Sequence, residues 1–259
     1  MTQYTMNKDN VTSVPVHCMH CKMLHSGLCE TLTPQEMTQF NAMASSKKYS
    51  ANQMIRIEDE PITFYANVIS GVAKMVKSTS DGRQQIVGLI LPSDFIDRVF
   101  VDIATCSIEA ITDVEVCRYP KKPFEAMIRN DPHLGHNLLT LALRDLEMAE
   151  EWMLLLGRKT AREKVASFLL MLARRTPRLL CPHMDLENNP ALAASELTDI
   201  PMTRADIADY LGLTMETVCR QMTHLKKDGV IDLPDNHCFI NLDINRLKVE
   251  AGQEPLLDI

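Results

Sequence analysis

The stretch from Pro201 to Ile231 constrains this chain more than any other, because its polar caps, its glycines and its apolar spacing all specify the same pair of short helices. Thr203 stands at an N-cap position, and Ile207, Ala208 and Leu211 give the helix that follows one apolar face. Gly212 supplies a left-handed C-cap, and Leu213 closes the corner. Thr214 then caps a second helix, buried through Val218, Met222 and Leu225. Two short helices around a tight glycine turn read as a helix-turn-helix. Gly229-Val-Ile231 and Cys238-Phe-Ile240 add a hairpin wing behind it.

The remainder is long enough for a second core. The 259 residues suit one large domain or two ordinary ones, and 46% of them are hydrophobic. The composition excludes a collagen, a continuous coiled coil and wholesale disorder. No run approaches the roughly 18 apolar residues of a membrane span. The polar start, Met1-Thr-Gln-Tyr-Thr-Met-Asn-Lys-Asp-Asn10, lacks the apolar centre of a secretion signal. The expectation is a cytoplasmic protein with no membrane partner. No phosphate-binding glycine loop, G-x-S-x-G or H-E-x-x-H is present, so nothing favours an enzyme.

The texture changes twice along the chain. Thr33, Pro34 and Glu36 specify a short helix through a capping box. From about residue 47 to 124, short alternating runs broken by turns read as β-structure. Val68–Val76 is a strand pair around Gly71 or one bulged strand; Asp81-Gly82 is a hairpin turn; Ile86–Leu91 is a buried strand ended by Pro92; and Cys106–Cys117 holds two strands with a turn near Thr112-Asp113. Many short strands in so few residues suggest a sandwich or barrel. Helices follow. Leu139, Ala142, Leu146, Ala149, Met153 and Leu156 recur at 3-4-3-4-3 spacing, a narrow seam that either meets another helix, such as a symmetry mate, or packs on its own domain. Residues 160–175 form a further helix, and 176–201 hold a polar loop at 186–190.

On the second helix of the helix-turn-helix, Glu216 and Arg220 lie at i and i+4 on one exposed face. In a major groove a carboxylate accepts from cytosine N4 and a guanidinium donates to guanine O6 and N7. A plain surface ion pair is the rival, worth about 0.3–0.5 kcal/mol. The net charge of −7 gives no general attraction to nucleic acid. Between Thr203 and Lys248 six basic residues face seven acidic ones, so phosphate contacts must come from arrangement, helix N-termini included.

Eight cysteines in a reducing compartment argue for metal binding, redox sensing or burial rather than a disulfide framework. Cys18-x₂-Cys21-x₇-Cys29 offers three thiolates on one loop among His17, His20 and His25. Iron–sulfur and zinc sites both open with C-x₂-C, and a cluster needs a fourth cysteine from elsewhere. The histidines read as solvated loop residues, although zinc accepts mixed sulfur and nitrogen ligands. Cys181 and Cys238 read as structural.

The helix-turn-helix with Glu216 and Arg220, the segment Trp152–Phe168 before it and the β-rich middle resemble the cAMP-receptor-protein/FNR family of bacterial transcription regulators over most of residues 17–250. The three N-terminal cysteines resemble its FNR branch. Their seven-residue spacer is similar to FnrN and cysteine-bearing FixK proteins rather than to enteric members, which have five. The resemblance implies an α+β architecture. An N-terminal arm (1–46) would precede a cyclic-nucleotide-binding-like jelly roll, the β-roll (47–135). A dimerisation helix (136–158) and a winged helix-turn-helix domain (159–259) would follow.

It further implies a [4Fe–4S] cluster on Cys18, Cys21, Cys29 and Cys117, the last within a segment resembling the fourth-ligand region better than Cys106 does. The homodimer seam would be Leu139–Leu156, and double-stranded DNA would be read by Thr214, Glu216, Thr217, Cys219 and Arg220. RNA polymerase would be contacted through Asp81, Gly82 and Arg83, which are otherwise only a hairpin tip. Oxygen responsiveness follows from the cluster; zinc, heme or redox-active thiols are the alternatives on the same fold.

Two departures matter. Cys219, a weaker hydrogen-bonding group, stands where the branch usually has serine, so base preference is expected to shift or relax. The region corresponding to the cyclic-nucleotide phosphate site offers Asp94 and Asp97, expected to be unpaired, and lacks the arginine, so no cyclic nucleotide is expected.

Overall fold

The computed structural model describes residues 18, 21–175, 197–235 and 237–253. Two compact units emerge. One holds the arm, most of the β-roll and the long helix as far as Glu147; the other holds Val76–Gly88 and the described residues from Met148 onward. Among the described residues no helix is long and apolar enough to cross a membrane.

In the first unit the cysteine segment is more regular than the loop expected. A 3₁₀ turn at Lys22–His25 leads into a one-turn helix, α1 (Gly27–Glu30). Helix α2 (Pro34–Met43) starts on the anticipated capping box: the Thr33 hydroxyl accepts from the Glu36 N–H, and the Glu36 carboxylate accepts from the Thr33 N–H.

Eight strands follow: β1 (Ser45–Tyr49), β2 (Met54–Arg56), β3 (Phe64–Ser70), β4 (Ala73–Ser78), β5 (Gln84–Ile90), β6 (Phe95–Ile96), β7 (Ser107–Ala110) and β8 (Val114–Pro120). They form two four-stranded sheets, ordered β1-β8-β3-β6 and β2-β7-β4-β5. The chain changes sheet at Gly71. Its φ is +85°, and a Cβ there would collide with the Asp113 carbonyl.

Strand alternation then sorts the side chains. Ala66, Val68, Val114 and Val116 join the apolar core that also holds Ile108, Ala110 and Cys106. The opposite parity, Tyr65, Asn67, Cys117 and Tyr119, faces away from that core. There Tyr65 and Tyr119 join Phe40 and Phe124 in a second cluster, with Leu28 from the arm. Helix α3 (Lys121–Asn130) leads into α4 (Pro132–Arg158), which begins well before the apolar stripe.

In the second unit α5 (Ala161–Arg175) buries Val165, Phe168, Leu169 and Leu172. The helix-turn-helix is α6 (Arg204–Leu211), Gly212 at φ +61°, and α7 (Met215–Lys227), with Thr203 and Thr214 capping as expected. Strands β9 (Leu197–Asp199), β10 (Ile231–Asp232) and β11 (Cys238–Asn241) form a wing sheet ordered β10-β11-β9, and α8 (Ile244–Glu250) follows. The end of the 176–201 stretch, for which no element was expected, contributes a third wing strand, pinned by β11. Cys238, read as structural and without a partner pattern, is buried and engaged in a disulfide. Cys181, the 186–190 loop, His17 and His20 lie outside the described residues.

Candidate functional site: a four-cysteine pocket and a helix-turn-helix

Cys18, Cys21, Cys29 and Cys117 line one pocket, with Leu24, Met37, Phe40, Asn41, Ala44, Asn67, Ile69 and Tyr119. The arm brings three sulfurs over the outer face of the β1-β8-β3-β6 sheet, and β8 presents the fourth. Cys106 belongs to the inter-sheet core instead, and His25 is exposed and outside the lining. The arm meets the barrel at Gly27, whose φ of +59° lets the backbone press on the Ser93 carbonyl where a side chain would clash.

The thiols are electrostatically crowded, each interacting with the other three. Burial, then repulsion by Cys117, Cys21 and Cys18, pushes the Cys29 thiol up to about 12. Burial likewise raises Cys117 and Cys18. Four thiolates are tolerable here only around a cationic centre, which is the chemistry of a soft-metal site. Yet no three of these sulfurs lie within 4.8 Å of one another. A single tetrahedral zinc with Zn–S near 2.3 Å would draw its sulfurs to roughly 3.8 Å apart.

Sequence reading missed the polar groups around the sulfurs. The Cys18 thiol donates to Asn41 Oδ1 at 3.6 Å, and Asn67 Nδ2 donates to Cys29 Sγ at 3.7 Å and to the Tyr119 hydroxyl at 3.4 Å. Only strand register reveals Asn67: it stands directly opposite Cys117 on β3.

The arm is also tied to the start of α4. His133 Nδ1 lies 2.8 Å from Glu36 Oε1, and Asn137 Nδ2 donates to the Thr31 carbonyl at 3.2 Å. The hydrogen bond to Glu36 and its charge raise His133 above the usual histidine range. Burial pushes Glu36 up, but its bonds to His133 and Thr33 prevail and hold it below the usual carboxylate range. The pair therefore stabilises most between about pH 4.5 and 6.5, and its contribution fades as pH rises through the His133 pKa. The melting temperature should fall on going from about pH 5.5 to 8, and the His133→Gln variant should lose part of that fall. An identical pH profile in both proteins would overturn the assignment.

Along α4, Leu139, Ala142, Leu146, Ala149 and Met153 are all exposed, joined by Leu143 and Leu154, so the apolar seam is wider than the stripe predicted. Leu156 departs from it: half-buried, it approaches Gly212 of the helix-turn-helix. Trp152 stacks on Tyr210 of α6, with ring centroids 3.9 Å apart.

On α7, Glu216, Cys219 and Arg220 are exposed. Thr214 and Thr217 share a hydroxyl–hydroxyl bond of 2.9 Å, and the Thr214 hydroxyl accepts from the Thr217 N–H, so both serve the cap. Arg220→Ala should weaken binding to a cognate palindrome by about 1–3 kcal/mol per half-site and relax preference at one base pair. Uniform weakening on all sequences, measured by competition binding, would make Arg220 a phosphate contact instead.

At the hairpin tip Asp81 and Arg83 pair with each other at 2.8 Å, and the Thr79 hydroxyl donates to Asp81. The acids expected to be unpaired are not. Asp97 is bonded to the buried Arg56 at 2.6 Å, and Asp94 accepts from the Leu91 N–H at 2.9 Å. The sequence reading missed Arg56 because it lies 41 residues from its partner.

Comparison with known proteins agrees with this architecture. Residues 163–249 match the Crp-like helix-turn-helix domain, and residues 46–131 match the cyclic nucleotide-binding domain. The transcriptional activator protein FnrL of Cereibacter sphaeroides is 39% identical over 249 residues, spanning 96% of this chain and 97% of that protein. The nitrogen fixation regulation protein FixK of Bradyrhizobium diazoefficiens is 37% identical over 214 residues, spanning 83% and 85%. The solved structure of FixK2 from Bradyrhizobium japonicum aligns with a TM-score of 0.70 at 32% identity, covering 80% of this chain and 96% of that one. With both domains matched and a relative this similar over nearly the whole of both sequences, the chain belongs to the FNR branch of the CRP/FNR family, and is a DNA-binding transcription regulator rather than an enzyme.

Proposed function

We propose that this regulator responds to oxygen through a [4Fe–4S] cluster held by Cys18, Cys21, Cys29 and Cys117. The supporting observation is the convergence of four thiols, three from the arm and one from β8, on one pocket. When bound, the cluster would supply an oxidisable iron–sulfur core as the oxygen-responsive group. The residues of the chain do the rest. The four sulfurs join the arm to β8; Thr31 and Glu36 hold the arm on α4 through Asn137 and His133; and the exposed seam Leu139–Met153 pairs with that of a second copy. Two Glu216/Arg220 faces then read half-sites about one helical turn apart. In the bound dimer the tip Asp81-Gly82-Arg83 meets RNA polymerase. Cyclic nucleotide has no part in this reading, because the buried cation Arg56 is already held by Asp97.

The test is anaerobic purification, followed by visible spectra, iron and sulfide analysis, sizing and operator binding before and after air. Broad visible absorption with acid-labile sulfide, lost in air together with the dimer and with DNA affinity, is the expected result. A sharp Soret band, a colourless zinc protein, or equal dimerisation in both states would refute the reading.

A further inference from the structure

We infer that Asn67 is a positioning residue that sets the redox lability of the centre on the four cysteines, by donating its carboxamide hydrogen bond to the Cys29 sulfur and fixing the Tyr119 hydroxyl beside it. The inference rests on the cluster reading above and deepens it.

Asn67 is 3% exposed, and its Oδ1 is buried with no hydrogen-bond partner among the described residues. A side chain in this position costs stability, because a buried carbonyl without a partner loses its hydration and gains nothing. The neighbours Leu24, Met37, Phe40, Ala44 and Ile69 show that an apolar residue would suit the pocket. What Asn67 provides in return is its Nδ2, 3.7 Å from Cys29 Sγ and 3.4 Å from the Tyr119 oxygen. It is held there by the register that sets it opposite Cys117, so it stands between a ligand from the arm and a ligand from the barrel. Tyr119 is 2% exposed and packs edge-on against Phe40, with ring centroids 5.0 Å apart, so its hydroxyl has little freedom.

An N–H aimed at a ligand sulfur strengthens as negative charge builds on that sulfur, and it therefore favours the reduced state of the centre. Removing the donor shifts the balance toward the oxidised state. One electron then passes more readily from the centre to dioxygen, which is reduced as the centre is oxidised.

The experiment compares the full-length wild-type protein with Asn67→Leu and Asn67→Asp, all reconstituted anaerobically with iron and sulfide. The leucine is similar in size and donates nothing; the aspartate keeps the shape but only accepts. Readouts are the midpoint potential in a mediator titration, the rate of bleaching in air, retained iron under a chelator, and the melting temperature of the cluster-free protein. Both variants should show a more negative potential and several-fold faster bleaching, and iron retention should fall about tenfold. The aspartate should shift furthest, and the cluster-free leucine variant should be at least as stable as wild type. If Asn67→Leu fails to fold, Asn67→Asp alone carries the test. Coloured variants with unchanged potential and bleaching rate would sink this inference alone. A wild-type protein that assembles no coloured centre would sink the cluster reading and this inference with it.

Discussion

Serine in place of Cys29 is expected to strip the anaerobic protein of its visible absorption and of specific operator binding together. Cys29 is the most crowded of the four thiols, half-buried and repelled by the other three, so it gains most from a cationic neighbour. A hydroxyl cannot replace it as a soft ligand. Without the centre, specific affinity should fall toward the non-specific level, a loss of about a thousandfold or more. Cys117→Ser should behave alike, although it sits 88 residues away in sequence on β8. Cys106→Ser is the control: its sulfur lies in the inter-sheet core, so the colour and the binding should survive with only a modest drop in melting temperature. Retention of colour in Cys117→Ser, or its loss in Cys106→Ser, would reassign the fourth ligand.

Leu146→Glu should leave the monomer folded while abolishing its self-association. Leu146 is 53% exposed in the single chain, so the substitution disturbs little within it. Paired across a twofold axis, two such leucines each contribute about 1.5–3 kcal/mol of burial, and the variant would instead bring two carboxylates together. Losing about 3–6 kcal/mol raises the dimer dissociation constant roughly a hundredfold or more. Sedimentation at matched concentrations, with melting temperature as the folding control, measures this. A stable Leu146→Glu dimer would mean that the seam Leu139–Met153 faces something other than its own copy.

What could be read beforehand follows the range of the forces involved. Thr33, Thr203, Thr214 and Gly212 declared their helices because capping acts over three or four residues. The α4 stripe was legible from periodicity, but Leu143 was missed because a strict heptad template is narrower than the exposed face. The wing strand Leu197–Asp199 has no pattern of its own and exists because β11 pairs with it. Asp97 looked unpaired because Arg56 comes from another strand. Asn67 was invisible for the same reason: its meaning depends on the partner opposite it. Strand parity alone, by contrast, separates the two β-roll thiols. Cys106 shares the inward parity of Ile108 and Ala110, whereas Cys117 lies out of phase with Val114 and Val116.

The seating of Gly27 bears on how the proposed cluster would be loaded. The arm leans on the Ser93 carbonyl through bare main chain, a fit of shape that calls for no inorganic atom. Part of the conformational entropy of bringing the arm to the barrel is thus met while the polypeptide folds. On the proposed cluster reading, metallation would then need less searching by the loop.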